Sequence, residues 1–317
     1  MKKINTLWSI KGIVVMFLLQ SCASYSIQSY PGKYYRYDKK ENLKLAYTGI
    51  LSENGPLGFK AWEIQFKDGM KDGQWIQYDI FGRKKYIQSY AEGLPEGLWA
   101  NYYSNGVIKI EGKYIRGKKE ALWRKWNSKG ILLAETFYEL DKLDGQSRLY
   151  YENDKIKEER NWNQGKQHGI YKSWNQIIGS LEESGSYKNG EKNEEWITYY
   201  TNGMIKQKKY YHLNILEGTI ENWYTSGQLK STGFYEDGRL NGIYSEYWAN
   251  GEKKIILTYN NGKKHGECST YYQDGSIKSL EHYYQGRKHG DFTNWSKNHE
   301  IQRQLKYNYG KPVKSRK

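Results

Sequence analysis

Three histidines share one place in a recurring loop, and a shared place is where a metal or proton-transfer site is sought first. His168, His265 and His289 each stand directly before a glycine in the same local context. A zinc ion needs imidazole nitrogens at about 2.0–2.1 Å. Equivalent residues of consecutive two-stranded repeats are separated by two strand spacings, roughly 10 Å. The expectation is therefore a polar turn residue and no metal. His212, His282 and His299 fall at unrelated positions. Acidic residues are plentiful, among them Glu152, Glu158, Glu159, Glu182, Glu183, Glu194 and Glu195. No spacing singles out a pair at the separation glycoside hydrolysis requires, and solvated strand faces account for them. HExxH, P-loop and GxSxG signatures and paired-cysteine motifs do not occur. The chain is expected to be non-enzymatic and to need no cofactor.

The lysines carry more pattern. Lys85, Lys109, Lys157, Lys206, Lys230, Lys254 and Lys278 recur on a fixed grid, often after an apolar residue such as Ile108, Ile156, Ile205, Leu229 or Ile277. Strand alternation puts them on the face opposite that apolar set. They form a candidate basic binding stripe with one charge per repeat. The competing reading is a solvated edge that blocks sheet-to-sheet aggregation.

That grid is the organisation of the whole chain. Gly69, Gly93, Gly117, Asp141, Gly165, Gly190, Asn214, Gly238, Gly262, Gly286 and Gly310 follow one another at 24 residues, with a single step of 25 between Gly165 and Gly190. Asp141 and Asn214 are the residue types next best able to adopt the left-handed conformation, so one backbone geometry is requested throughout. Calling this residue position 0, a second glycine recurs at +4, broken by Ala121 and Glu194. A third recurs at +13, preceded by Asn at Asn105, Asn202 and Asn250. Asn-Gly between strand-like segments is a hairpin signal.

Position −3 is aromatic in every copy from Phe66 to Tyr307, and position +9 in every copy from Tyr78 to Trp295. Position +6 adds Trp75, Trp99, Trp123, Tyr171, Trp196, Tyr244 and Phe292. Positions +6 and +9 differ by three, so either both faces carry aromatics or the strand bends between them. Each repeat reads as one β-hairpin. The fold expected is all-β: an elongated, twisted antiparallel sheet of about ten stacked hairpin repeats. The aromatics at +10, Tyr103, Tyr151, Tyr200, Tyr224, Trp248 and Tyr272, follow the +9 ring and point to its other face. They are the candidate aromatic binding face, with ordinary strand packing as the alternative.

Composition agrees with a thin structure. There are 32 Tyr and 12 Trp against 7 Phe and 4 Met, so most large side chains carry a polar handle. With 50 Lys+Arg against 35 Asp+Glu the net charge is +15, which favours anionic partners.

Residues 1–21 read as a lipoprotein signal peptide: Lys2, Lys3 and Lys11 supply the charge, and residues 12–19 a short apolar run. Leu19-Gln20-Ser21-Cys22 resembles a lipobox, with Gln20 departing from it; the alternative is an uncleaved anchor or an ordinary signal. Lipid on Cys22 would tether the exported chain to a bacterial membrane. The outer membrane, facing the periplasm, is the expected site, which argues against nucleic acid as a partner. Cys268 is then left without a partner for a disulfide. Residues 22–63 are expected to be tether and degenerate N-terminal cap, 64–310 the repeat array, and 311–317 a basic, unstructured tail.

These residues resemble the MORN repeat in its bacterial variant, Y-x-x-G-K-x-x-G-x-W-x-x-Y-Y-x-N-G-x-I-K. Residues 114–119 and 283–290 fit one half, residues 93–109 nearly the whole unit, and the resemblance spans about 66–310. It implies a sheet of stacked hairpins acting as an interaction or membrane-proximal module. Some bacterial members are labelled antitoxin or immunity proteins, and no catalytic residue is implied. The expected function is a platform for an envelope protein or anionic polymer, with carbohydrate or anionic-lipid headgroups as the alternative ligand.

Overall fold

The computed structural model describes residues 25–30, 33–38 and 43–313. The 1–21 leader and Cys22 lie outside the described residues, as does the tail from 314 onward. The described chain is all-β and antiparallel, with strands paired in chain order. It divides into two compact units, residues 1–154 and 155–317.

In the first unit, Tyr25–Tyr30, Lys33–Asp38 and Leu43–Ala46 make a three-stranded sheet. A hairpin of Gly49–Asn54 and Lys60–Lys67 then opens the long sheet, which continues to Lys142–Tyr150. Pairing thus starts upstream of residue 64, and Gly58, one period before Gly82, sits in the turn of that first hairpin. The small sheet caps the stack physically. The Tyr34 amide donates to the Gly69 carbonyl at 2.7 Å, and its ring lies 4.4 Å from Phe66, which is buried with Leu51 and Ile64. In the second unit, strands from Ile156–Asn163 to Ile301–Asn308 repeat the pattern, and Lys311–Pro312 pairs with the last of these. Lys311 and Pro312 are therefore paired residues and not part of an unstructured tail.

Two different turns close the hairpins. At the short turn, positions −1 and 0 both take positive φ, as at Glu92 (49°) and Gly93 (84°), between paired Ala91 and Leu94. This is the two-residue type I′ turn, whose twist matches that of the strands it joins. Asp141 (70°) and Asn214 (69°) adopt the same conformation as the glycines they replace. The Asn-Gly pairs make the other, longer turn. There the Gly106 amide donates to the Tyr103 carbonyl (2.9 Å), the Tyr103 amide to the Val107 carbonyl (2.8 Å), and only the glycine is left-handed.

Short turns are fastened to the repeat before them through backbone. The Gly93 amide donates to Lys71, Gly117 to Pro95, Gly238 to Leu216 and Gly262 to Leu240, all at 2.7–2.9 Å. A register shift between +8 and +9 recurs, as at Lys125/Trp126 and Thr198/Tyr199.

Both faces carry aromatics. On one, here called the ring face, positions −3 and +6 interlock: Trp123 packs at 5.3 Å on Tyr114, 6.0 Å on Tyr138 and 5.2 Å on Trp99. Trp196 does the same with Tyr187 (5.1 Å), Tyr211 (6.5 Å) and Tyr171 (5.5 Å). Trp123, Trp196, Ile220, Cys268 and Phe292, all at +6, are buried. Aromatic pairs in these geometries stabilise by about 0.5–1.5 kcal/mol each beyond the area they bury, so the row is the core. The +9 rings belong to the other face. Tyr78 donates to Glu63, which is paired opposite Ile76 at +7, and Tyr150 donates to Glu135, paired opposite Arg148 at +7.

Candidate functional site

The predicted lysine and tyrosine sets, expected as separate surfaces, come together at the long-turn edge. Position +10 is the first residue of the long turn and not a further strand residue, so alternation no longer governs it. Its phenol reaches forward one repeat: Tyr103 donates to the Trp126 carbonyl (3.0 Å), Tyr200 to Trp223 (2.7 Å), Tyr224 to Tyr247 (2.8 Å) and Tyr272 to Trp295 (2.9 Å). The turn asparagines run parallel stitches, Asn105 to Ser128, Asn202 to Thr225 and Asn250 to Gln273, at 2.6–3.1 Å.

The stripe lysines lie over these same rings. Lys109 stands 5.6 Å from the Tyr103 ring centre, Lys206 5.9 Å from Tyr200, Lys230 5.7 Å from Tyr224, Lys254 5.0 Å from Trp248 and Lys278 5.6 Å from Tyr272. The rings are half-buried and the lysines exposed, except Lys254, which is half-buried. The candidate aromatic residues therefore hold the edge together and carry the cations. They do not line a separate open face. Tyr151 opens the equivalent turn and is half-buried, with Lys157 exposed nearby in sequence. The earliest repeat has Asp79 at +10, paired with Arg83 at 2.7 Å, so Lys85 is exposed without a +10 ring.

Charge at this edge is largely uncompensated. Lys254 approaches Glu246 at 3.4 Å. Among the described residues no carboxylate lies within ion-pair distance of Lys109, Lys206, Lys230 or Lys278.

The histidines occupy a structural acceptor position at +3. His168 Nδ1 faces the Asn189 amide (3.4 Å), His265 that of Gln285 (3.5 Å) and His289 that of Tyr309 (3.4 Å). Glu96, Glu120, Glu217 and Asn241 accept from the same turn amide in their repeats, at 2.7–3.2 Å. Among the described residues no group of three or more His, Cys, Asp or Glu side chains is placed to hold a metal.

A second set of lysines, at +2, is not singled out by the sequence pattern. Lys71, Lys119, Lys192, Lys264 and Lys288 lie over ring-face aromatics, Lys192 at 3.8 Å from Trp196 and Lys119 at 4.4 Å from Trp123. Burial lowers the pKa of Lys71 and raises those of the ring-face phenols, Tyr90 and Tyr244 to about 12. Their sequence signal is that a lysine two residues after the turn accompanies an aromatic at +6 in four of the five, Lys264 standing instead with Cys268 and lying over Tyr283.

The chain is a MORN-repeat protein. The MORN repeat variant family matches residues 95–116, 143–164, 195–212, 216–237, 240–261 and 264–283, in phase with the hairpins described above. Among solved structures, the chain is similar at 12% identity to one described as TcdB2-TccC3 without its hypervariable C-terminal region. That match covers 90% of this chain and 18% of the other, with a TM-score of 0.17. It is similar at 14% identity to CbpJ from Streptococcus pneumoniae TIGR4, over 83% of this chain and 99% of that one, with a TM-score of 0.19. Among curated proteins none matches.

Proposed function

We propose that this protein is a non-catalytic binding platform whose recognition surface is the lysine row of the long-turn edge, and that its partner is an anionic protein or polymer of a bacterial envelope. The observation that carries this reading is the set of recurring lysines, of which Lys109, Lys206, Lys230, Lys254 and Lys278 are braced on a ring and all of these but Lys254 are without a carboxylate within ion-pair distance among the described residues. From Lys206 to Lys278, lysines of consecutive repeats stand about two strand spacings, roughly 10 Å, apart, a spacing suited to an extended partner with distributed charge. Bracing by an aromatic holds the ammonium without neutralising it, and the net charge of +15 favours the encounter.

Attachment through lipid on Cys22 places the platform at a membrane, where a basic surface adds to the affinity of a single lipid anchor for anionic headgroups. In this reading the chain is an exported lipoprotein of the outer membrane facing the periplasm. An immunity role against a toxin with an acidic surface is its sharper form. Carbohydrate binding is the second reading, supported by the abundance of half-buried Tyr and Trp, although the +10 hydroxyls are already engaged with backbone.

The test is capture from solubilised envelope on the immobilised chain, compared with a variant carrying Lys206→Glu, Lys230→Glu, Lys254→Glu and Lys278→Glu. The platform reading expects an acidic species retained by the wild type and lost from the variant. Equal retention by a folded variant contradicts it.

A further inference from the structure

The ring face stacks its aromatics in pairs over strand glycines. Gly112 lies opposite Trp99 in register and beneath Trp123, where a Cβ would stand 2.1 Å from the indole; the two rings are 5.2 Å apart and tilted by 39°. Gly185 lies opposite Tyr171 and beneath Trp196, where a Cβ would stand 2.3 Å away, and those rings stack at 5.5 Å and 25°. In both places the missing side chain makes room for a ring that the protein itself supplies.

Gly233 repeats the arrangement with one ring missing. It lies beneath Tyr244, 2.9 Å from where its Cβ would be, but opposite Ile220, the +6 residue of its repeat. Position +2 of that repeat is Leu216, where the preceding repeat has Lys192 over Trp196. A pocket of about 310 Å³ takes the place of the stacked pair, lined by these residues with Gln207, Lys209, Asn222 and Tyr235. That is the lower end of the ~300–1,000 Å³ range of ligand pockets, a size for one ring and not for a chain of them.

The polar lining is asymmetric. Gln207 donates to Asn222 at 2.6 Å and Asn222 to Ser231 at 2.9 Å, which fixes both amides. Lys209 is half-buried, and among the described residues its ammonium has no ion-pair or ring partner; the Tyr235 hydroxyl has no hydrogen-bond partner among them. Two donors, one of them charged, thus border a slot whose apolar walls are Leu216, Ile220 and the Tyr244 ring. We infer that this pocket binds a single six-membered ring carrying a carboxylate. The ring takes the place of the missing aromatic against Tyr244, and the carboxylate accepts from Lys209 and Tyr235, a charge-assisted pairing stronger than one between neutral groups.

Aromatic and sugar acids share this chemistry, so the test uses both. Benzoate and glucuronate are titrated into the full chain by ligand-observed NMR, with the Lys209→Met and Ile220→Trp variants in parallel. Saturable binding of either acid is expected, and which one binds tighter identifies the source. Lys209→Met is expected to weaken it about tenfold. Ile220→Trp is expected to abolish it by filling the slot with the protein's own ring, while thermal unfolding of that variant stays cooperative. Failure of both acids to saturate overturns the inference, as does unchanged affinity in a folded Ile220→Trp. Should that variant not fold, unchanged affinity in Lys209→Met overturns it alone.

Discussion

The same pair of groups, a lysine over an aromatic ring, occurs at two places in the repeat unit and does different things; the repeats that start at Gly190 and Gly262 have both. On the ring face Lys192 lies 3.8 Å from Trp196, which is buried and held between Tyr187 and Tyr211, and its stem helps cover that core. At the long-turn edge Lys206 lies 5.9 Å from Tyr200, whose hydroxyl is committed to the Trp223 carbonyl, and its ammonium is exposed. Cation–π attraction is worth about 0.5–1 kcal/mol at exposed sites and about 2 when desolvated. The first lysine is therefore part of the fold, and the second is displayed by it. What separates them is how deeply the ring is seated, not the kind of side chain.

The comparison breaks most completely in alkali. The ring-face phenols Tyr90 and Tyr244 are raised by burial from an ordinary value near 10 to about 12, so the folded state holds these protons more tightly than the unfolded one. Their contribution is fully present below about pH 10 and is lost as pH rises through about 12. Near-ultraviolet circular dichroism should show cooperative loss of structure across that window. Tyr90→Phe combined with Tyr244→Phe should shift the midpoint upward.

Substitutions at each place separate the two directly. Trp196→Ala empties the middle of an aromatic cluster and should cost about 3–5 kcal/mol in urea unfolding. Gly185→Ala leaves the ring but thrusts a methyl into it, with an expected cost of about 1–3 kcal/mol. Tyr224→Phe at the edge removes only a hydrogen bond to the Tyr247 carbonyl and should cost about 1 kcal/mol. If the edge substitution proved as damaging as the ring-face one, the distinction between core and display would fail.

Much of this architecture is legible in the residues. The 24-residue step, the left-handed position 0 and the aromatics at −3 and +6 follow from turn chemistry and periodicity, because each is a local requirement repeated many times. The edge is not legible in the same way. Tyr103 reads as a strand residue when alternation is carried past Tyr102, yet it begins a turn just beyond a register shift at Asn101/Tyr102. Its bond to Trp126 joins residues 23 apart, and the +3 acceptors reach 20 or 21 residues forward, distances at which sequence shows identity but not contact. The Ile220 gap is visible only as a departure from a pattern, and its meaning comes from the glycine that the register places opposite it.

The most direct test of the display claim reverses charge at both places and reads binding and stability together. One variant carries Lys206→Glu, Lys230→Glu and Lys278→Glu at the edge; the other carries Lys119→Glu and Lys192→Glu on the ring face. Affinity for an anionic polymer such as polyglutamate and the midpoint of urea unfolding are measured for each. The edge variant is expected to lose binding by more than about tenfold with its midpoint nearly unchanged, while the ring-face variant loses stability and, where still folded, keeps most of its affinity relative to its net charge. Equal loss of affinity per charge reversed in the two variants would mean that overall charge governs binding, and would contradict a recognition surface at the long-turn edge.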